Sequence, residues 1–72
     1  MKVRVQLDTE TDFKDFFKLM VSLPHPVYLN DGKRQQVCAQ SQLGVLLARM
    51  EWDEIYCESE ADISHLIRRW II

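Results

Sequence analysis

The residues able to do chemistry in this chain are few, and they do not converge. His25 lies between Pro24 and Pro26 and reads as a turn residue. His65 falls beside the apolar stripe of the last helical stretch, near its amphipathic boundary. Cys38 and Cys57 stand nineteen positions apart; they form no Cys-x-x-Cys pair and no zinc spacing with the histidines. They read as two reduced thiols of a cytoplasmic protein, the alternative being a single disulfide in a secreted domain. Ser41 stands just before an apolar helical run, where a hydroxyl can accept from the third helical N–H. Asp8, Glu10, Asp12 and Asp15 surround the start of an earlier helical stretch. No cofactor motif is present.

The elements that hold these residues must fit into 72 positions, enough for a single domain spanning residues 1–72. Domains of this size bury only about 60% of their unfolded surface. A net charge of −2 provides no basic field for nucleic acid. No apolar run approaches the ~20 residues of a membrane span. The start, "MKVRVQLD", alternates instead of forming a signal-peptide core.

Periodicity places the elements. Val3, Val5 and Leu7 share one side of a first strand. Phe13, Phe16, Phe17 and Met20 form a helical stripe that Pro24 and Pro26 terminate. Val27 and Leu29 face inward on a second strand, Asn30-Asp31-Gly32 supplies a turn, and Val37 and Ala39 face inward on a third. A second helix runs from about Ser41 to Met50. Ile55 and Cys57 mark a fourth strand, and Ile63, Leu66, Ile67, Trp70 and Ile71 mark a last helix. The order β-α-β-β-α-β-α predicts an α+β, two-layer fold. It is an open-faced β-sandwich: a four-stranded, mainly antiparallel sheet with three helices on one face. Its free face would show Arg4, Gln6, Tyr28, Cys38 and Tyr56, with Tyr28 and Tyr56 paired across neighbouring strands as a candidate interface.

This order and "NDGKRQQVCAQSQLGVLLA", Asn30 to Ala48, resemble the HPr phosphocarrier family of the bacterial sugar phosphotransferase system. Asp31-Gly32-Lys33 stands for the family's hairpin turn. Gln40-Ser41-Gln42-Leu43-Gly44-Val45 stands for the start of its second helix, and "DEIYCESEADISHLI" resembles its fourth strand and third helix. The strand between turn and second helix reads about two residues longer than the family's. The resemblance covers nearly the whole chain and implies the sheet order 1-4-2-3.

One departure decides the functional reading. The family's phosphoacceptor histidine sits in a Gly-Ile/Leu-His-Ala-Arg-Pro motif at the start of the first helix, where helix N–H groups and the arginine hold the phosphate. The equivalent segment here, "DTETDFKDF", has no histidine, arginine or proline. Each like-charge pair that a phosphate met there would cost roughly 1 to 4 kcal/mol at ~4 Å. Phosphocarrier chemistry is therefore expected to be lost.

Two candidates remain in the second helix. Ser41 is an N-cap, and the resemblance adds a second role as a regulatory phosphosite, although Gln40 replaces the usual basic neighbour. Leu43, Leu46, Leu47 and Met50 form a stripe that either packs into the core or docks on partner proteins; by resemblance, Leu43 and Leu46 match exposed docking positions. The expectation is a cytoplasmic, non-enzymatic regulatory or adaptor protein without cofactors or metal. Its partners would be phosphotransferase-system or transcription-regulatory proteins, not nucleic acid or membrane. The alternatives are a phosphocarrier using a displaced histidine, and a ligand-binding or dimerising module that shares only the fold.

Overall fold

A computed structural model describes all 72 residues and shows where each apolar period goes. The strands are β1 (Lys2–Val5), β2 (Tyr28–Asn30), β3 (Gln36–Cys38) and β4 (Ile55–Glu58). The helices are α1 (Glu10–Ser22), α2 (Gln42–Glu51) and α3 (Ser64–Ile67), the last followed by a 3-10 turn, Arg68–Trp70. One antiparallel sheet has the order β1-β4-β2-β3. The α+β two-layer architecture and the order β-α-β-β-α-β-α are those that the periodicities predict. No helix is long and apolar enough to cross a membrane.

Alternation along the strands makes the two layers. Val5, Leu29, Ile55 and Cys57 point into the core, while Arg4, Tyr28 and Cys38 are exposed on the opposite face. From α1, Phe13, Phe16 and Met20 are buried against them. Phe16 meets Trp70 edge to face, with ring centroids 5.3 Å apart, so the middle of α1 and the end of the chain share one contact. Thr9 caps α1 by accepting from the Asp12 N–H at 3.0 Å, and the Asp12 carboxylate accepts from the Thr9 N–H at 3.3 Å.

The turn between β2 and β3 follows from three residues. Gly32 has φ +77°, and a Cβ there would come within 2.8 Å of the Tyr56 ring. Asn30 Oδ1 accepts from the Gly32 N–H at 2.9 Å. Asp31 Oδ1 accepts from the N–H groups of Lys33, Arg34 and Gln35. Desolvation pushes the Asp31 carboxyl up, but these three donors outweigh it and hold the group below its usual range.

The end of the chain departs from expectation. The predicted last helix is only the four residues Ser64–Ile67, and its expected apolar residue Leu66 is exposed. Strand pairing wins over helical period here. The Gln6 N–H donates to the Trp70 carbonyl at 2.8 Å and the Ile72 N–H to the Arg4 carbonyl at 3.1 Å. Ile71 thereby bridges Val5 and covers the outer edge of β1. Asp15 binds Arg69 at 2.5 Å and Asp12 accepts from Trp70 Nε1 at 3.3 Å, tying this tail to α1.

Phe16→Ala therefore removes both a fully buried ring and the Trp70 contact. We expect it to destabilise the protein by about 3–5 kcal/mol in denaturant unfolding.

Candidate functional site

The geometry of α2 settles which of its faces is core. Gly44 sits so close to β3 that a Cβ there would lie 3.0 Å from Val37 Cβ and 3.1 Å from the Cys38 carbonyl. Val45 and Ala48 on the same inner side are fully buried. Small side chains thus let the helix lie tightly on the sheet, and the larger ones must turn outward. Leu43 is 78% exposed, Met50 71% and Leu47 42%. Together with Leu46 and Glu51 they line a shallow apolar depression. Leu46 differs from its neighbours: it is half-buried and packs against the core. The candidate docking residues are therefore Leu43, Leu47 and Met50, with Leu46 supporting them from beneath. The N–H of Trp52 closes the helix on the Ala48 carbonyl.

Ser41 caps this helix as its type predicts. Its hydroxyl is on an exposed residue and accepts from the Gly44 N–H at 3.1 Å. Gln40 has a structural task that the sequence did not reveal. Its amide nitrogen donates to the carbonyls of Met20 and His25, both at 3.2 Å. Its oxygen accepts from the Val27 N–H at 3.3 Å and from Cys38 Sγ at 3.1 Å. One side chain thus joins the end of α1, the Pro24–Pro26 loop, the approach to β2 and the end of β3. A neutral residue with both a donor and an acceptor at the hinge before an N-cap was the only available signal.

The start of α1 supplies its own anion. Asp12 occupies the capping position and also accepts from Trp70. Desolvation raises its carboxyl pKa, and the hydrogen bonds from Thr9 and Trp70 outweigh this and lower it. Gln6 Nε2 holds both Asp8 oxygens at 2.7 Å. The nearby cation, Arg49 of α2, is committed to the carbonyls of Leu7 at 3.0 Å and Asp8 at 3.3 Å. A phosphate at this helix start would meet carboxylates and no free guanidinium.

The remaining sequence candidates do not assemble. His25 is half-buried with its Nδ1 enclosed and without a hydrogen-bond partner, whereas His65 is exposed on α3. No group of three or more His, Cys, Asp or Glu is placed to hold a metal. Tyr28 and Tyr56 lie on the neighbouring strands β2 and β4, as expected, but not directly opposite one another. The register sets Tyr28 opposite Glu58 and Tyr56 opposite Asn30, so the rings are diagonal neighbours. Tyr56 is instead engaged by Lys2, whose Nζ is 5.3 Å from the ring centroid, and lies over Gly32. Cys57 is buried, and burial first, then the Glu58 charge, pushes its thiol up to about 12. Cys38 is exposed.

Comparison with family models, with curated proteins and with solved structures finds no match for this chain.

Two measurements check the site. Leu43→Ala is expected to change stability by no more than about 0.5 kcal/mol, and Leu46→Ala to cost about 1–2 kcal/mol, in paired denaturation curves. A thiol reagent is expected to titrate Cys38 rapidly in the folded protein and Cys57 only after unfolding.

Proposed function

We propose that this chain is a degenerate HPr-like regulatory or adaptor domain, of cytoplasmic and bacterial type, that docks on partner proteins through α2. It performs no histidine phosphotransfer and no catalysis of its own. The observation that carries this reading is the outward apolar face of Leu43, Leu47 and Met50 beside the exposed cap Ser41. A soluble-side helix that turns its small residues inward and its large apolar residues outward presents a contact surface. Methionine suits such a surface because its side chain adapts to different partners.

The resemblance between Asn30 and Ala48 supports the family part of the reading. The sheet order β1-β4-β2-β3 agrees with the order that the resemblance implies. The self-capped, acidic start of α1 supports the loss of the phosphocarrier step. At α2, the N–H groups of Gln42 and Leu43 have no acceptor within the chain, so a phosphate on Ser41 would find two donors and the positive end of a helix dipole. That modification would place two negative charges beside the apolar face and alter docking.

The partner used to test this is the serine kinase that acts on HPr-family proteins, with ATP. The expected outcome is one phosphate on Ser41, read by mass spectrometry and lost in Ser41→Ala. Leu43→Glu and Leu47→Glu should reduce phosphorylation at least tenfold while the fold, followed by circular dichroism, is unchanged. Absence of any modification by an active kinase overturns the regulatory reading. In a parallel reaction with phosphoenolpyruvate and the upstream transferase, a phosphohistidine at His25 or His65 would establish the displaced-histidine alternative instead.

A further inference from the structure

Resting on the reading of α2 as a docking face, we propose that a second copy of this chain occupies that face when no other partner is bound. The contact is an antiparallel α2–α2 pair about a two-fold axis. A two-fold interface needs one patch that is complementary to itself. The α2 sequence has this property. About the midpoint between Leu46 and Leu47, Leu43 is as far to one side as Met50 is to the other, and Gln42 as far as Glu51. An axis at that point seats Leu43 of one copy on Met50 of the other, and Leu46 beside Leu47. The two most exposed apolar side chains of α2 cover one another in both directions.

Charge complementarity favours the same arrangement. The first turn of α2 holds no acidic residue, and its Gln42 and Leu43 N–H groups lack acceptors. Glu51 stands at the opposite, C-terminal end, where the helix dipole disfavours a carboxylate, and it enters none of the ion pairs of the chain. Arg49 in the same turn suits the dipole but is turned to the Leu7 and Asp8 carbonyls, so within one copy Glu51 has no cationic partner and the Gln42 and Leu43 N–H groups have no acceptor. Antiparallel pairing brings each Glu51 to the N–H groups of the other copy and opposes the two dipoles. The two Glu51 carboxylates stay about 15 Å apart, the length of a ten-residue helix, so they do not repel strongly. A parallel pair would set Glu51 beside Glu51 and leave the N–H groups unmatched.

So few apolar side chains per copy place the interface at the small end of specific contacts, below about 1,200 Å² in total. The dimer is weak and depends on concentration. It uses the same surface as partner docking, so self-association and docking exclude one another.

Sedimentation velocity over a concentration series reaching the millimolar range tests the proposal. The wild-type mass should rise from 8.6 kDa toward twice that value. Leu43→Glu and Leu47→Glu should remain monomeric with an unchanged melting temperature, because both side chains lie outside the core. Glu51→Lys should weaken association at least fivefold. In a Cys38→Ser background, Leu47→Cys, next to the axis, should form a disulfide-linked dimer on mild oxidation, whereas Val21→Cys on the exposed side of α1 should not. A wild-type chain that stays monomeric throughout overturns the proposal. So does a dimer that survives Leu47→Glu, or cross-linking at Val21→Cys that equals that at Leu47→Cys. A monomeric chain whose kinase reaction still depends on Leu43 and Leu47 overturns the dimer alone. A dimer with no such dependence overturns the docking reading alone.

Discussion

The distance between α2 and β3 is the constraint on which the rest of the molecule depends. A Cβ at Gly44 would press on Val37 Cβ at 3.0 Å and the Cys38 carbonyl at 3.1 Å, tighter than ordinary contact. With Val45 and Ala48 beside it, the helix comes down onto the sheet with little volume between them. Close packing in a small core then leaves space at its border for Leu46 alone among the large side chains of the same helix. Leu43, Leu47 and Met50 are outside because the inner face is already full. A larger residue at Gly44 would need its neighbours on β3 to give by a few tenths of an ångström.

The other end of the core is closed by the tail. Trp70 packs on Phe16, Arg69 binds Asp15, and Ile71 pairs with Val5. These contacts cover the outer edge of β1 and the start of α1 together. They also explain the chemistry of that start. Asp12 is shared between the Thr9 cap and the Trp70 indole, so the position where a helix N-terminus could receive an external anion holds an internal one. An anion arriving at this helix start would therefore meet a carboxylate already in place.

Gln40 links the two regions. Its four hydrogen bonds fix the loop after α1 relative to the end of β3, and hence the position from which Ser41 starts α2. A basic residue there could not accept from both the Val27 N–H and the Cys38 thiol. An amide at this position serves as a structural joint and brings no positive charge to the start of α2. Burial of Cys57 and exposure of Cys38 follow from strand alternation alone, with the same pleat that separates Leu29 from Tyr28.

The sequence by itself determined the layers. Period-2 alternation in β1 and β4, the Phe13–Met20 stripe, the Asn30-Asp31-Gly32 turn and the Ser41 cap are local signals, because each depends on neighbours within a few residues. It also contained the apolar excess of α2, but not its orientation. Val45 with Ala48, and Leu43 with Leu47, are both regular helical faces, and only the closeness of β3 at Gly44 chose between them. The register that moved Tyr28 opposite Glu58, the tail that became a strand partner of Val5 and the four-way bond of Gln40 likewise join residues far apart in the chain. Tertiary structure decided those, since a hydrogen bond or a contact between distant segments leaves no periodic trace in either one.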